Sequence, residues 1–207
     1  MADPRTQLVA EVYDQIGDVF AEWRTRIVDD PRREWEDELV SRLEKGARLL
    51  ELGCGAGTPE TKRLAQLFRL TGVDISPRQV ERARAAIPAA DFLCADFTEL
   101  ELPRGSFDAV ASFYVFNHVP RELLAPLLGQ IRGWLVPSGW LLAAFGASDL
   151  EAWTGDWLGA PTFFSGFPPQ VNSRLVRKAG FRIERDEVVT FEEPEGEARF
   201  QWVLAQA

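Results

Sequence analysis

A buried apolar run that breaks into three alternating glycines constrains this chain more than any other stretch. Leu49-Leu50-Glu51-Leu52 leads into Gly53-Cys54-Gly55-Ala56-Gly57, and Thr58 then opens a helix. Glycine is required where the backbone turns sharply and where a ligand must lie against the main chain. The same alternation continues downstream. Apolar runs at 47–52, 68–73, 91–94, 107–113 and 139–145 read as strands, separated by segments opened by Thr58, by Ser76 with Pro77, and by Pro120. Strand and helix repeated in this way predict an α/β fold, a parallel sheet covered by helices on both faces.

Two helices are expected before the first strand. Leu8, Val12, Ile16, Val19, Trp23 and Ile27 recur at steps of three and four, with Tyr13 and Phe20 flanking that stripe. Asp30 and Pro31 begin a second helix whose Trp35, Leu39 and Leu43 face inward before Gly46 ends it. After the strand at 139–145, glycines and prolines mixed with aromatics predict a long loop. A short helix ending near Gly180 and strands at 181–190 and 197–205 close the chain, the strands joined as a hairpin by Glu193-Pro194-Glu195-Gly196. The 207 residues suit one domain: N-terminal helices forming a lid (1–45), a binding core (46–146), an acceptor-side loop (147–169), and a C-terminal helix and hairpin (170–207).

Charge narrows the partners. The net charge is -9 and the basic residues are interleaved with acids, so clustered phosphate contacts, and with them nucleic acid, are not expected. Two cysteines without CxxC spacing and a single histidine argue against a metal site. No segment approaches the ~20 apolar residues of a membrane span, so no membrane partner is expected and the expected location is the cytoplasm.

Carboxylates close the strands that follow the glycine loop. Asp74 ends the second strand 21 residues after Gly53, where it can accept hydrogen bonds from ribose hydroxyls. Asp96 ends the third, placed to accept from an adenine amine while Ile75 or Phe97 packs on the base. A nicotinamide dinucleotide fits part of this pattern. However, Thr58 stands where the third glycine of GxGxxG would fall, and Glu51 beside the loop would repel a pyrophosphate. A carboxylate there suits instead the cationic amino acid end of S-adenosyl-L-methionine, which carries no phosphate.

These motifs resemble those of the class I, Rossmann-like S-adenosylmethionine-dependent methyltransferases, from about Tyr13 to the end of the chain. The resemblance implies a doubly wound, seven-stranded, mostly parallel sheet with the last strand antiparallel and an N-terminal helical lid. It implies S-adenosyl-L-methionine as cofactor and S-adenosyl-L-homocysteine as product. The cofactor would be held by Tyr13, Glu51, Gly53, Cys54, Gly55, Gly57, Asp74, Ile75, Asp96 and Phe97, with Ser112 and Phe113 near its sulfonium. No Asn-Pro-Pro-Tyr-like tetrad follows the fourth strand, and no metal-binding set of acids and histidine is present, so the family's adenine, amide and catechol chemistries are not indicated.

Methyl transfer from a sulfonium is an in-line displacement, and a site that aligns the acceptor and excludes water supplies most of the effect. His118, after the fourth strand, is placed to take a proton from an O, N or S acceptor, or else to cap or pack. Tyr13 on the lid is placed to reach the cofactor carboxylate or the acceptor. Trp157, Phe163 and Phe164 in the 147–169 loop suit the roof of an apolar acceptor site. The reading is a small-molecule methyltransferase, monomer or homodimer. A NAD(P)-dependent oxidoreductase and a non-methylating S-adenosylmethionine-binding protein remain as alternatives.

Overall fold

The computed structural model describes residues 3–207. Helix α1 (Pro4–Arg24) is capped by Asp3, whose carboxylate accepts the Arg5 backbone N–H. α2 (Arg32–Val40) follows. The alternating core then runs β1 (Arg48–Leu52), α3 (Pro59–Leu67), β2 (Arg69–Asp74), α4 (Pro77–Ala86), β3 (Asp91–Cys94) and β4 (Phe107–Ser112). A 3-10 turn at Phe116–His118 leads to α5 (Arg121–Trp134) and β5 (Leu135–Gly146). Beyond it lie β6 (Leu150–Trp157), β7 (Ala160–Gly166), α6 (Pro169–Lys178), β8 (Arg182–Glu193) and β9 (Gly196–Gln206). Thr58 and Ser76 cap α3 and α4 by accepting the N–H of Thr61 and Gln79, each with proline at the first helical position.

Seven strands form one sheet in the order β3-β2-β1-β4-β5-β9-β8. β1 to β5 are parallel, and β9 runs antiparallel to both of its neighbours, as expected of a reversed last strand. Leu50, Leu52 and Val110 bury one face under α5 and α6, against Leu124, Leu128, Ile131 and Val176. Leu49, Ala109 and Ala111 bury the other against Trp35 and Leu39 of α2, Leu64 of α3 and Val80 of α4. Burial on both faces is why these strands read as unbroken apolar runs. The strand order reverses between β1 and β4, which opens a crevice at their carboxyl ends.

Two expectations need correction. The 147–169 segment is a β-hairpin rather than an irregular loop: β6 and β7 pair antiparallel and close through Leu158 and Gly159, both with positive φ (55° and 84°). An isolated two-stranded hairpin is marginal in water. Here α1 supplies the missing face, because Val12 and Ile16 pack on Ala160 with Trp157 and Leu158 around them. On α1 itself Val9, Val12, Ile16 and Trp23 are buried, but Val19 is 53% exposed and Ile27 lies past the helix end. The helix turns its Tyr13 and Phe20 side toward the protein, which rotates Val19 outward.

Candidate active site

A cavity lies at the carboxyl ends of β1, β2 and β4 beneath α1 and holds roughly 1070 Å³ of space, its mouth included. Of the residues expected there, Tyr13, Gly53, Cys54, Gly55, Asp74, Ile75, Asp96, Phe97, Phe113 and His118 line it. Glu51, Gly57, Ser112, Trp157, Phe163 and Phe164 do not.

The floor is built from backbone. Gly53 has φ +72°, and a Cβ there would stand 2.2 Å from Val115 Cγ2, so no side chain fits. Gly55 has φ +54° with open space where its Cβ would project, and its N–H donates to Asp74 Oδ2 at 2.8 Å. Gly57 instead serves packing, since its Cβ would meet Ala83 Cα of α4 at 3.2 Å. Asp74 Oδ1 also accepts the Ser76 N–H at 3.0 Å, and burial pushes the Asp74 carboxyl above its ordinary pKa despite these bonds. Asp96 Oδ1 accepts from the Thr98 N–H at 2.8 Å and from its hydroxyl at 2.7 Å. Asp96 Oδ2 is buried with no partner among the described residues. An unpaired buried acceptor at the edge of a cavity fits a ligand donor.

Glu51 does not itself line the cavity, although Arg32, which donates to it, does, and its Oε2 is buried with no partner among the described residues. It is 1% exposed and sits behind the loop, where Arg32 donates to its Oε1 at 3.0 Å and the Thr61 hydroxyl at 3.1 Å. β1 alternates, so Glu51 shares Leu49's face and points under α2 and α3. Burial pushes its carboxyl up to about 7, against the pull of Arg32. Arg32 also donates to Glu36 at 2.7 Å and stacks over Phe113, 4.1 Å from the ring centre. Arg32 and Arg24 both line the cavity, and sequence reasoning missed them. A signal for Arg32 was present: Arg32, Trp35, Glu36 and Leu39 share one helical face, and all four are buried. Nearby, Tyr114 holds φ +60° and donates its hydroxyl to Asp30, whose carboxylate also accepts the Arg32 N–H at 2.9 Å.

The roof joins three elements. His118 Nδ1 lies 2.9 Å from the Phe163 carbonyl oxygen, and a carbonyl only accepts, so the proton sits on Nδ1. Nε2 therefore presents a lone pair, and the Tyr13 hydroxyl donates to it at 3.0 Å. Burial lowers the His118 pKa to about 4, which keeps the ring neutral, and pushes the Tyr13 hydroxyl up. Phe163 thus acts through its main chain, its ring being 1% exposed. Phe164 packs on His118 with ring centres 4.6 Å apart, and Trp157 packs against Tyr13, Phe20 and Trp23. These aromatics back the Tyr13–His118 pair instead of facing an acceptor. Ser112 is buried with its hydroxyl unpartnered among the described residues. Burial also pushes both free thiols, Cys54 and Cys94, up in pKa.

An open α/β sheet with this strand order, a left-handed glycine turn and acid-tipped strands defines the Rossmann-like class. Residues 49–139 match a family model described as a methyltransferase domain. It is 40% identical over 110 residues to the 2-methyl-6-phytyl-1,4-hydroquinone methyltransferase of Synechocystis, covering 51% of this chain and 34% of that one. The chain spans about a third of the length of this and another curated relative that it matches, at 34% and 31%. Its structure resembles the 1,6-didemethyltoxoflavin-N1-methyltransferase of Burkholderia thailandensis with bound S-adenosylhomocysteine (TM-score 0.72, 18% identity, 100% of this chain and 91% of that one). It also resembles the [4+2]-cyclase SpnF (TM-score 0.73, 20% identity, 100% and 98%). At these identities the structural likeness concerns the fold.

Proposed function

We propose that this chain binds S-adenosyl-L-methionine and transfers its methyl group to an O, N or S atom of a small-molecule acceptor. The observation that carries the reading is the cavity floor. There a side-chain-free left-handed turn lies beside two strand-end acids, one of which, Asp96, keeps a buried acceptor atom unpaired. Asp74 would take the ribose hydroxyls and Asp96 Oδ2 the adenine amine, with Ile75 and Phe97 against the base. Gly53, Cys54 and Gly55 would admit the methionine portion to the backbone, Arg24 and Arg32 would face its carboxylate, and Phe113 would lie near the sulfonium. When bound, the cofactor supplies a methyl carbon whose bond to sulfur breaks with its electron pair as the acceptor lone pair bonds to it, leaving S-adenosyl-L-homocysteine. Tyr13 and His118 close the site from above and receive the acceptor's proton at His118 Nε2.

Phosphate would find less here. The Gly55 N–H is already donated to Asp74, and two carboxylates face the cavity. Calorimetry with S-adenosylmethionine, S-adenosylhomocysteine and NAD⁺ tests the reading, and tighter binding of the dinucleotide would sink it. The likeness to a cyclase structure makes a non-methylating S-adenosylmethionine-binding protein the second reading. Release of S-adenosylhomocysteine with phenol, amine or thiol acceptors separates the two. Two free thiols accord with a cytoplasmic location.

A further inference from the structure

The half of the cavity next to His118 differs in character from the half next to the glycine loop. Four charged side chains line the cavity: Arg24, Arg32, Asp74 and Asp96. Asp74 closes β2, and Asp96 lies two residues past the end of β3. The two arginines gather at the far end of α1, where Arg24 lies 3.5 Å from Glu60 and Arg32 holds Glu51. Val9 is 15 residues before Arg24 on the same helix, a separation of roughly 22 Å along its axis. Around His118 the lining side chains Thr6, Val9, Tyr13, Phe97 and Val119 are uncharged, with Asp96 following next to Phe97 and the Asp74 carboxylate and Arg24 acting on the Tyr13 hydroxyl from along the cavity. The Thr6 hydroxyl is spent on the Asp3 carbonyl.

We propose that the acceptor is an apolar-bodied compound presenting a hydroxyl, and that the Tyr13–His118 pair rejects carboxylates. This rests on the methyltransferase reading above. The bond directions carry the argument. His118 Nδ1–H is committed to the Phe163 carbonyl, so Nε2 can only accept, and Tyr13 donates its one proton to it. Toward the cavity the Tyr13 oxygen has lone pairs alone to offer. A ligand therefore has to bring the proton. A hydroxyl does so, and its proton can pass to the Tyr13 oxygen as the Tyr13 proton moves to Nε2, which leaves a neutral phenol and an imidazolium. A carboxylate brings no proton and meets only lone pairs at the Tyr13 oxygen.

The test uses the full chain saturated with S-adenosylhomocysteine and three ring compounds of matched shape: 2-naphthol, 2-methoxynaphthalene and 2-naphthoate. Calorimetry or tryptophan quenching reads their binding. 2-Naphthol should bind about tenfold or more tightly than naphthoate and several-fold more tightly than the methyl ether. In Tyr13→Phe combined with His118→Leu, which removes both lone-pair acceptors, the preference for naphthol over its methyl ether should vanish. Naphthoate matching naphthol overturns the proposal, as does an unchanged naphthol preference in the double variant or the binding of no ring compound. Failure of S-adenosylhomocysteine to bind at the outset overturns the methyltransferase reading instead.

Discussion

The floor and the roof of the cavity are held by different kinds of interaction. The floor is made of main chain: glycines in left-handed conformations and carboxylates that accept backbone N–H groups within a few residues of a strand end. The roof joins side chains of α1 and the 3-10 turn to a main-chain carbonyl of the β6–β7 hairpin, across 105 residues between Tyr13 and His118 and 45 between His118 and Phe163. On the proposed function, a floor of this kind would fix where the nucleoside lies and would tolerate few changes. A roof of packed aromatics can be re-cut for another acceptor without disturbing the floor.

The comparison breaks first if the floor does not depend on its buried ions. Arg32→Met leaves Glu51 buried without its cation, and a loss of about 3–5 kcal/mol is expected, read by urea unfolding. Adding Glu51→Gln should restore part of that loss. A cost under about 1 kcal/mol would mean that the ion cluster does not tie α2 to the sheet. Next in size is Gly53→Ala, where a positive φ and the Val115 clash combine to cost roughly 3 kcal/mol. Gly55→Ala, with open space around it, should cost only the backbone penalty of about 1–2 kcal/mol. If the two costs are reversed, steric closeness to Val115 is not what requires Gly53.

Legibility in the sequence follows the same division. Gly53, Gly55, Asp74 and Asp96 were readable because a turn, a strand end and a cap are local demands that residue type must meet. The parallel core followed from the alternation of strands and helices, whereas the reversed last strand was implied only by the family resemblance. The hairpin at β6 and β7 was not readable, because its glycines and prolines look like loop until Val12 and Ile16 arrive from α1 to cover it. Glu51 was placed in the cavity because its charge was weighed without its alternation on β1. Arg32 was passed over as one charge among the interleaved acids of a surface helix. In both cases the partner that decided the outcome lies on another element.

The roof can be tested through its histidine. His118 titrates at about 4 in the folded protein and at about 6.5 in the unfolded chain. Between those values the unfolded chain holds a proton that the folded one lacks. Stability therefore falls as pH drops from about 6.5 toward 4, by up to roughly 3 kcal/mol, and is unaffected by this group above that window. Glu51 and Glu193, both raised to about 7, push the other way, losing stability as pH rises from about 4.5 through 7. The clean measurement is the difference between wild type and His118→Gln from pH 4 to 8. A difference that does not change with pH would mean that the imidazole is not sealed under Tyr13 and Phe163.

The smallest effect expected is the sharpest test of the floor. In Asp96→Asn, the amide oxygen can keep both bonds from Thr98, so unfolding free energy should shift by less than about 1 kcal/mol. The atom that changes is the unpaired Oδ2, which becomes an NH₂ group facing the cavity. If that atom accepts from the adenine amine, two donors now face each other, and affinity for S-adenosylhomocysteine should fall about tenfold, near 1.4 kcal/mol. An analogue that carries an acceptor in place of the amine, such as S-inosylhomocysteine, should lose less or gain. Equal affinity of wild type and variant for both compounds would leave the orphaned oxygen without a ligand and move the adenine elsewhere in the cavity.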